Sequence, residues 1–208
     1  MKRALTATLF TLTSLASLMS LASAPLFAAN IGQAAPEFAL PDLSGKTVKL
    51  SDLKGKMVVL EWVNPECPFV KKHYNSANMP TLQKEAAAKN VVWLSINSTN
   101  PKSDEFKTEA QMKSWLASKN AAPQTVLFDR DGTTGHAYGA KTTPHMYIID
   151  RDGKLIYAGG IDDKRSARVE DIPVAKNYVR VALDEALAGK PVSVSTSQPY
   201  GCSIKYSS

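Results

Sequence analysis

Cysteine is nearly missing from this chain, with 2 in 208 residues, which is too few for a disulfide scaffold. Val70 stands where a Cys-x-x-Cys motif opened by Cys67 would place its second thiol, so a dithiol of that pattern is excluded. Basic runs are short: past the N-terminus the longest are Lys71-Lys72 and Lys164-Arg165. With no basic stripe interleaved with aromatics, nucleic acid is a poor partner. There is no internal repeat. Asp-Arg-Asp-Gly occurs twice, at 129–132 and 150–153, but the ligand spacing of a calcium loop is absent and both read as tight turns. The three histidines and two cysteines show no metal-binding spacing. His145 with Cys67 would supply too few ligands for a zinc or copper site, and His73 and His136 read as surface or packing residues. No metal and no cofactor is expected.

The one long apolar run lies at the start. Lys2 and Arg3 precede an uncharged stretch from Ala4 to about Ala29, closed by the small residues of "LASAPLFAAN". A charged n-region, an apolar h-region and a small-residue cleavage zone describe a signal peptide, expected over residues 1–29. Pro25 hinders cutting after Ala24, so cleavage after Ala28 or Ala29 competes with it. An uncleaved anchor is the alternative, since the run is long enough to span. Its Ser and Thr content and the lack of a basic stop argue against that. No cysteine lies near the cut, which argues against a lipoprotein. Removing Lys2 and Arg3 leaves 23 of the 25 basic residues against 19 acidic ones, a net charge of +4. A periplasmic or secreted location follows, with no membrane contact after cleavage, and disulfides persist there.

The remainder, roughly 180 residues, has a single-domain length. We expect one domain over 30–189 and a tail over 190–208 that carries Cys202. "GKTVKLSDLKGK" (45–56) reads as a short hairpin or strand leading in. "MVVLEWV" (57–63) is almost continuously apolar and β-branched, a central strand buried on both faces. Glu61 departs from that pattern; a buried proton acceptor and a solvent-facing edge residue are both open. A helix opening at Cys67, interrupted before Pro80, runs on through "TLQKEAAAK". "VVWLSIN" (91–97) is the next strand, and 104–119 reads as a helix opened by acidic residues. "QTVLFDRDG" and "HMYIIDRDGKLIYAGG" read as strands ending in Asp-Gly turns, and "VAKNYVRVALDEALAGKP" as a last helix stopped by Gly189 and Pro191. The alternation predicts an α/β fold, a mixed β-sheet flanked by helices on both faces.

Cys67 is the residue with chemistry. A cysteine at a helix N-terminus meets unsatisfied N–H groups and the positive end of the macrodipole, which favour thiolate. Lys71 and Lys72 one turn on are expected to help. Pro68 fits the first turn, where its missing N–H is not needed, and Asn64-Pro65-Glu66 turn the chain between strand and helix. From this stretch alone a reactive thiol and a structural cysteine stay equally open. "AKTTPHMYIID" places Thr143-Pro144 directly before an apolar strand, where a cis X-Pro bond can be built.

Strand, cysteine at a helix start and Thr-Pro before a strand hairpin together resemble the thioredoxin-like fold. In that fold a cis-proline loop packs beside the active cysteine. "HAYGAKTTPHMYIIDRDGKLIYAGGIDD", "ALDEALAGKPV" and the terminal "PYGCSIKY" resemble the peroxiredoxin-like redoxins of the alkyl hydroperoxide reductase/thiol-specific antioxidant superfamily. The resemblance runs from about residue 32 to residue 206. It implies a thioredoxin-like fold, thiol redox and antioxidant chemistry, and a cis Thr143–Pro144 bond. It also implies that Thr143 and Pro144 line the site and present backbone to a substrate. Typical members carry a proline seven residues, and a threonine or serine three residues, before the peroxidatic cysteine. Leu60 and Asn64 stand there instead, so weak peroxidase activity is expected, with Asn64 able to contact substrate through its amide.

The sequence therefore predicts an exported thiol-dependent oxidoreductase. Cys67 is the attacking thiolate and Cys202 the candidate resolving cysteine. Expected partners are a thiol or disulfide electron donor or client protein and small peroxides. Thirteen residues separate Gly189 from Cys202, a reach of roughly 43 Å when extended. A domain of this size has a radius of gyration of about 16 Å. Tyr200, Ile204 and Tyr206 are expected to anchor the tail by apolar contact. The alternative is a non-catalytic binding or structural protein whose Cys67–Cys202 disulfide pins the tail.

Overall fold

The apolar run around Leu60 has no polar side to show to water, and the chain encloses it in the middle of a sheet. The computed structural model describes residues 29–207; apart from Ala29, the expected signal peptide lies outside them. A hairpin of β1 (Ala39–Pro41) and β2 (Thr47–Lys49) leads through a 3-10 turn at Leu50–Leu53 into β3 (Val58–Trp62). Then follow α1 (Pro68–Asn75), α2 (Asn78–Ala88), β4 (Val92–Asn97), α3 (Glu109–Ser118) and β5 (Thr125–Phe128). The second half comprises α4 (Thr133–Tyr138), β6 (Thr142–Thr143), β7 (His145–Ile149), β8 (Leu155–Gly159), α5 (Tyr178–Leu187) and β9 (Cys202–Ser203).

The five-stranded sheet has the order β5-β4-β3-β7-β8. β3 and β5 run parallel to β4, and β7 runs antiparallel to both β3 and β8. Leu60 faces Leu94 on one side and Tyr147 on the other. Alternation sorts the side chains into two cores. Val59, Val63, Trp93 and Met146 pack under α1, α2 and α5 with Val70, Met79, Leu82 and Leu183. Val58, Leu60, Trp62, Leu94 and Tyr147 pack on the opposite face with Tyr138 of α4 and with Leu50 and Leu53. Each large apolar side chain so buried contributes about 1.5–3 kcal/mol. No helix among the described residues is long and apolar enough to cross a membrane.

Three boundaries differ from the sequence expectation. α1 and α2 part at Ala77, which has left-handed φ +58°, and Pro80 falls in the first turn of α2, where proline is tolerated. α3 begins at Glu109 rather than near 104, because Thr108 and Gln111 form a reciprocal capping box. α5 begins at Tyr178 under an Asn177 cap that accepts from the Arg180 N–H. α4 was not expected; the buried Asp129 carboxylate accepts from the N–H groups of Thr134 and Gly135 and from the Ser98 hydroxyl, and so fixes its start.

Candidate active site

β3 ends at the sheet's centre, and the three residues after Val63 must turn the chain into a helix. Asn64 does most of this. Its Oδ1 accepts the Glu66 N–H at 2.8 Å, and its carbonyl accepts the Cys67 N–H at 3.1 Å. Its Nδ2 donates to Glu105 Oε2 at 2.8 Å and lies 3.4 Å from Thr99 Oγ1. Both ends of the amide are thus committed to protein partners. Cys67 is the N-cap of α1, with Pro68 at the first helical position and the Cys67 carbonyl accepting the Lys71 N–H at 2.9 Å.

The Cys67 side chain is buried, 1% exposed, between two chain segments distant in sequence. Its thiol donates to the Thr143 carbonyl at 2.9 Å, and the Cys202 N–H points at its sulfur from 3.4 Å. The Thr143–Pro144 bond is cis. β6 and β9 form a two-residue antiparallel ladder in which Thr143 lies opposite Cys202. Gly201 makes that approach possible: its φ is +144°, and a Cβ there would fall inside the Thr143 carbonyl. Both cysteines are free thiols. Burial, then hydrogen bonding and charge from Cys67, push the Cys202 thiol up to about 12.

The structure thus brings Cys67, Cys202, Thr143 and Pro144 together, with Asn64 holding the turn beneath. The two lysines expected to favour the thiolate point elsewhere. Lys71 pairs with Glu66 at 3.1 Å, and Lys72, 1% exposed, donates to the Lys164 carbonyl at 2.9 Å beside Asp162. Glu61 is fully buried and accepts from Tyr74 Oη (2.8 Å), Trp93 Nε1 (2.8 Å), Ser95 Oγ (3.1 Å) and Gln83 Nε2 (3.2 Å). Burial raises its carboxyl above the ordinary range against those four donors. His145 is buried, its Nδ1 within 3.2 Å of the Lys141 N–H and of Tyr147 Oη, and burial followed by the Lys141 charge lowers it to about 4. His136 stacks on Tyr206 with ring centroids 4.2 Å apart.

Sequence reasoning missed the surroundings of Tyr200. Its hydroxyl donates to Asp162 Oδ1 at 2.6 Å and lies 3.1 Å from His73 Nε2, and its ring sits edge-on to Phe69. Lys72 Nζ is 3.8 Å from Asp162 Oδ2. The one sequence signal was a tyrosine two residues before Cys202, read as an apolar anchor only.

A mixed central sheet, a cysteine capping the helix after its middle strand and a cis-proline loop against the sulfur define a thioredoxin-like protein. The comparisons agree and go one step further. The chain belongs to the AhpC/TSA family, whose description matches residues 31–158. It is 30% identical over 135 residues to the thiol-disulfide oxidoreductase ResA of Geobacillus thermodenitrificans (strain NG80-2), covering 62% of this chain and 68% of that one. It is 31% identical over 143 residues to the thioredoxin-like protein YneN of Bacillus subtilis (strain 168), covering 68% and 79%. Among solved structures, an uncharacterized conserved protein from Geobacillus kaustophilus superposes with a TM-score of 0.73 at 31% identity, covering 86% of this chain and 93% of that one. A putative thiol:disulfide interchange protein DsbE from Chlorobium tepidum gives 0.51 at 31% identity, covering 63% and 85%. The family match ends before the tail that carries Cys202.

Proposed function

We propose that this protein is an exported thiol-disulfide oxidoreductase that cycles between a Cys67–Cys202 dithiol and disulfide. The observation that carries the proposal is the β6–β9 ladder, which sets Cys202 opposite Thr143 with its N–H on the Cys67 sulfur. The similarity to ResA supports disulfides as the substrate class.

Cys67 as thiolate attacks one sulfur of a substrate disulfide. A bond forms between Cys67 Sγ and that sulfur, and the other substrate sulfur leaves as a thiolate. Cys202 then attacks Cys67 Sγ and expels the remaining substrate sulfur, taking the substrate down by two electrons and leaving the Cys67–Cys202 disulfide. A thiol donor reduces that disulfide and completes the cycle. With a peroxide, Cys67 takes one oxygen to become a sulfenic acid, the alkoxide or hydroxide leaves, and Cys202 condenses with the sulfenic acid to release water. That branch is slow here, because Leu60 is packed in the sheet and Asn64 spends its amide on the turn. Thr143 and Pro144 present backbone to the substrate.

The test is peptide mapping of the mildly oxidised protein, together with Cys202→Ser. A Cys67–Cys202 linkage within one chain, and accumulation of a Cys67 mixed disulfide or sulfenic acid in the variant, are the expected results. Two free cysteines after oxidation, or a bridge that a reduced thioredoxin-like donor does not open, would sink the cycle; the second outcome would leave a static pin for the tail.

A further inference from the structure

The resolving cysteine needs a fixed address, because its own chemistry is unhelpful. Burial, the largest cause of the upward shift of the Cys202 thiol, still acts when Cys67 is held in a mixed disulfide, so thiolate is disfavoured there as well. The attack still requires the thiol proton to leave, and the rarer the thiolate, the more the step depends on Cys202 being held next to Cys67. The two-residue ladder of β9 is short, and the chain on its N-terminal side is held by something else.

Ser195 and Ser197 bond to Ala158 of β8, and nearer to β9 a buried polar cluster surrounds Tyr200. Lys72, His73, Asp162 and Tyr200 are each 7% exposed or less. The hydroxyl of Tyr200 has one proton, and it goes to Asp162 Oδ1. The 3.1 Å contact with His73 therefore requires His73 Nε2 to carry a proton and donate to Tyr200 Oη. His73 Nδ1 is then the acceptor for the Asn78 amide at 2.9 Å. The donors run in one direction, from Asn78 through His73 and Tyr200 to the Asp162 carboxylate. Lys72 supplies the charge opposite Asp162 and lies 5.5 Å from the centre of the Tyr200 ring. Lys72 and His73 stand on α1, the helix that Cys67 caps. Gly201 is the only residue between Tyr200 and Cys202.

We propose that Tyr200 is a positioning residue for the resolving step: clamped by Asp162 and His73, it holds Cys202 in register with Thr143 and within reach of Cys67. The inference rests on the two-cysteine cycle proposed above. In the step concerned, Cys202 gives up its proton, a bond forms between Cys202 Sγ and Cys67 Sγ, and the bond from Cys67 to the substrate sulfur breaks. The substrate leaves as a thiol carrying an equivalent proton, with no further oxidant or reductant.

The probe is 2,2′-dithiodipyridine, which releases one thiopyridone when Cys67 attacks and a second when Cys202 resolves the mixed disulfide. Stopped-flow traces of the reduced full-length protein separate the two phases, with Cys202→Ser and Cys67→Ser assigning them. In Tyr200→Phe the first phase is expected to stay within about twofold of the parent. The second should slow about tenfold, the worth of one hydrogen bond to a charged group. Asp162→Asn, which keeps the shape of the cluster, should give the same split. A merely structural role would lower both phases together with the urea midpoint. An unchanged second phase in both variants, or equal slowing of both phases, overturns the inference and leaves the cycle standing. A parent protein that releases a single thiopyridone overturns the cycle and this inference with it.

Discussion

Two buried carboxylates flank α1, and they are built differently. Glu61 sits under the helix on β3 and meets only neutral donors, from Tyr74, Gln83, Trp93 and Ser95. Asp162 sits in the loop after β8 and meets a cation, Lys72, together with the hydroxyl of Tyr200. The first network ties together α1, α2, β3 and β4, elements already joined by the core. The second ties α1 to a tail that begins after the last helix. An acid that joins packed elements can be satisfied by dipoles. An acid that fastens a strap with little core of its own uses a charge, because a charge-assisted pair is stronger for the same few atoms.

The largest test of this contrast is Asp162→Ala. It leaves the Lys72 ammonium buried without its counter-charge, and the loss in urea-unfolding stability is expected to reach about 3–5 kcal/mol. A loss below about 1 kcal/mol would mean that Lys72 finds water or another partner, and the contrast would fail. Glu61→Gln comes next, at about 1–3 kcal/mol. The amide keeps the shape of the acid but turns an N–H₂ toward side chains that already donate. This variant should leave the thiopyridone phases in their parental ratio.

Acid separates the two networks by sign. Burial, then the Lys72 charge, lowers His73 to about 3. Below pH 6.5 the unfolded chain therefore takes up a proton that the folded chain refuses, and stability is lost as pH falls from 6.5 toward 3. Glu61 is raised by burial and acts in the opposite direction, its contribution falling as pH rises through its folded value. His73→Gln should flatten the fall between pH 6.5 and 5 by up to about 2 kcal/mol, at 1.36 kcal/mol for each unit of pH. The comparison is the difference in unfolding free energy between variant and parent at the two pH values. An unaltered slope would remove His73 from the clamp's titration. Lys71→Ala is the smallest effect. Its pair with Glu66 is exposed, so the change should stay below about 1 kcal/mol, and the alkylation rate of Cys67 should hardly move. A large drop in that rate would restore Lys71 as an electrostatic partner of the thiol.

The sheet was legible in the sequence because its strands are nearly pure apolar text: 57–63 and 91–97 could hardly fold as anything exposed. Cys67 at a helix start and the Thr-Pro pair were legible for the same reason, each being punctuation next to such a strand. The clamp was not. Lys72 reads as electrostatic help for the Cys67 thiolate, His73 as a surface or packing residue, and nothing in the sequence singles out Asp162. Their burial is decided by partners 92 and 127 positions away in the chain, and no local period encodes that. α4 was hidden by its length of six residues and by a glycine at each end. The late start of α3 was hidden because Asp104 and Glu105 mimic an acidic first turn, whereas Thr108 and Gln111 do the capping.

α1 is only eight residues long, yet it carries the attacking sulfur at its cap and, one to two turns on, Lys72 and His73, two of the groups that surround Tyr200. Both jaws of a caliper are then cut from one bar. A docked client that tilts that bar therefore moves the sulfur together with the His73 and Lys72 side of the clamp.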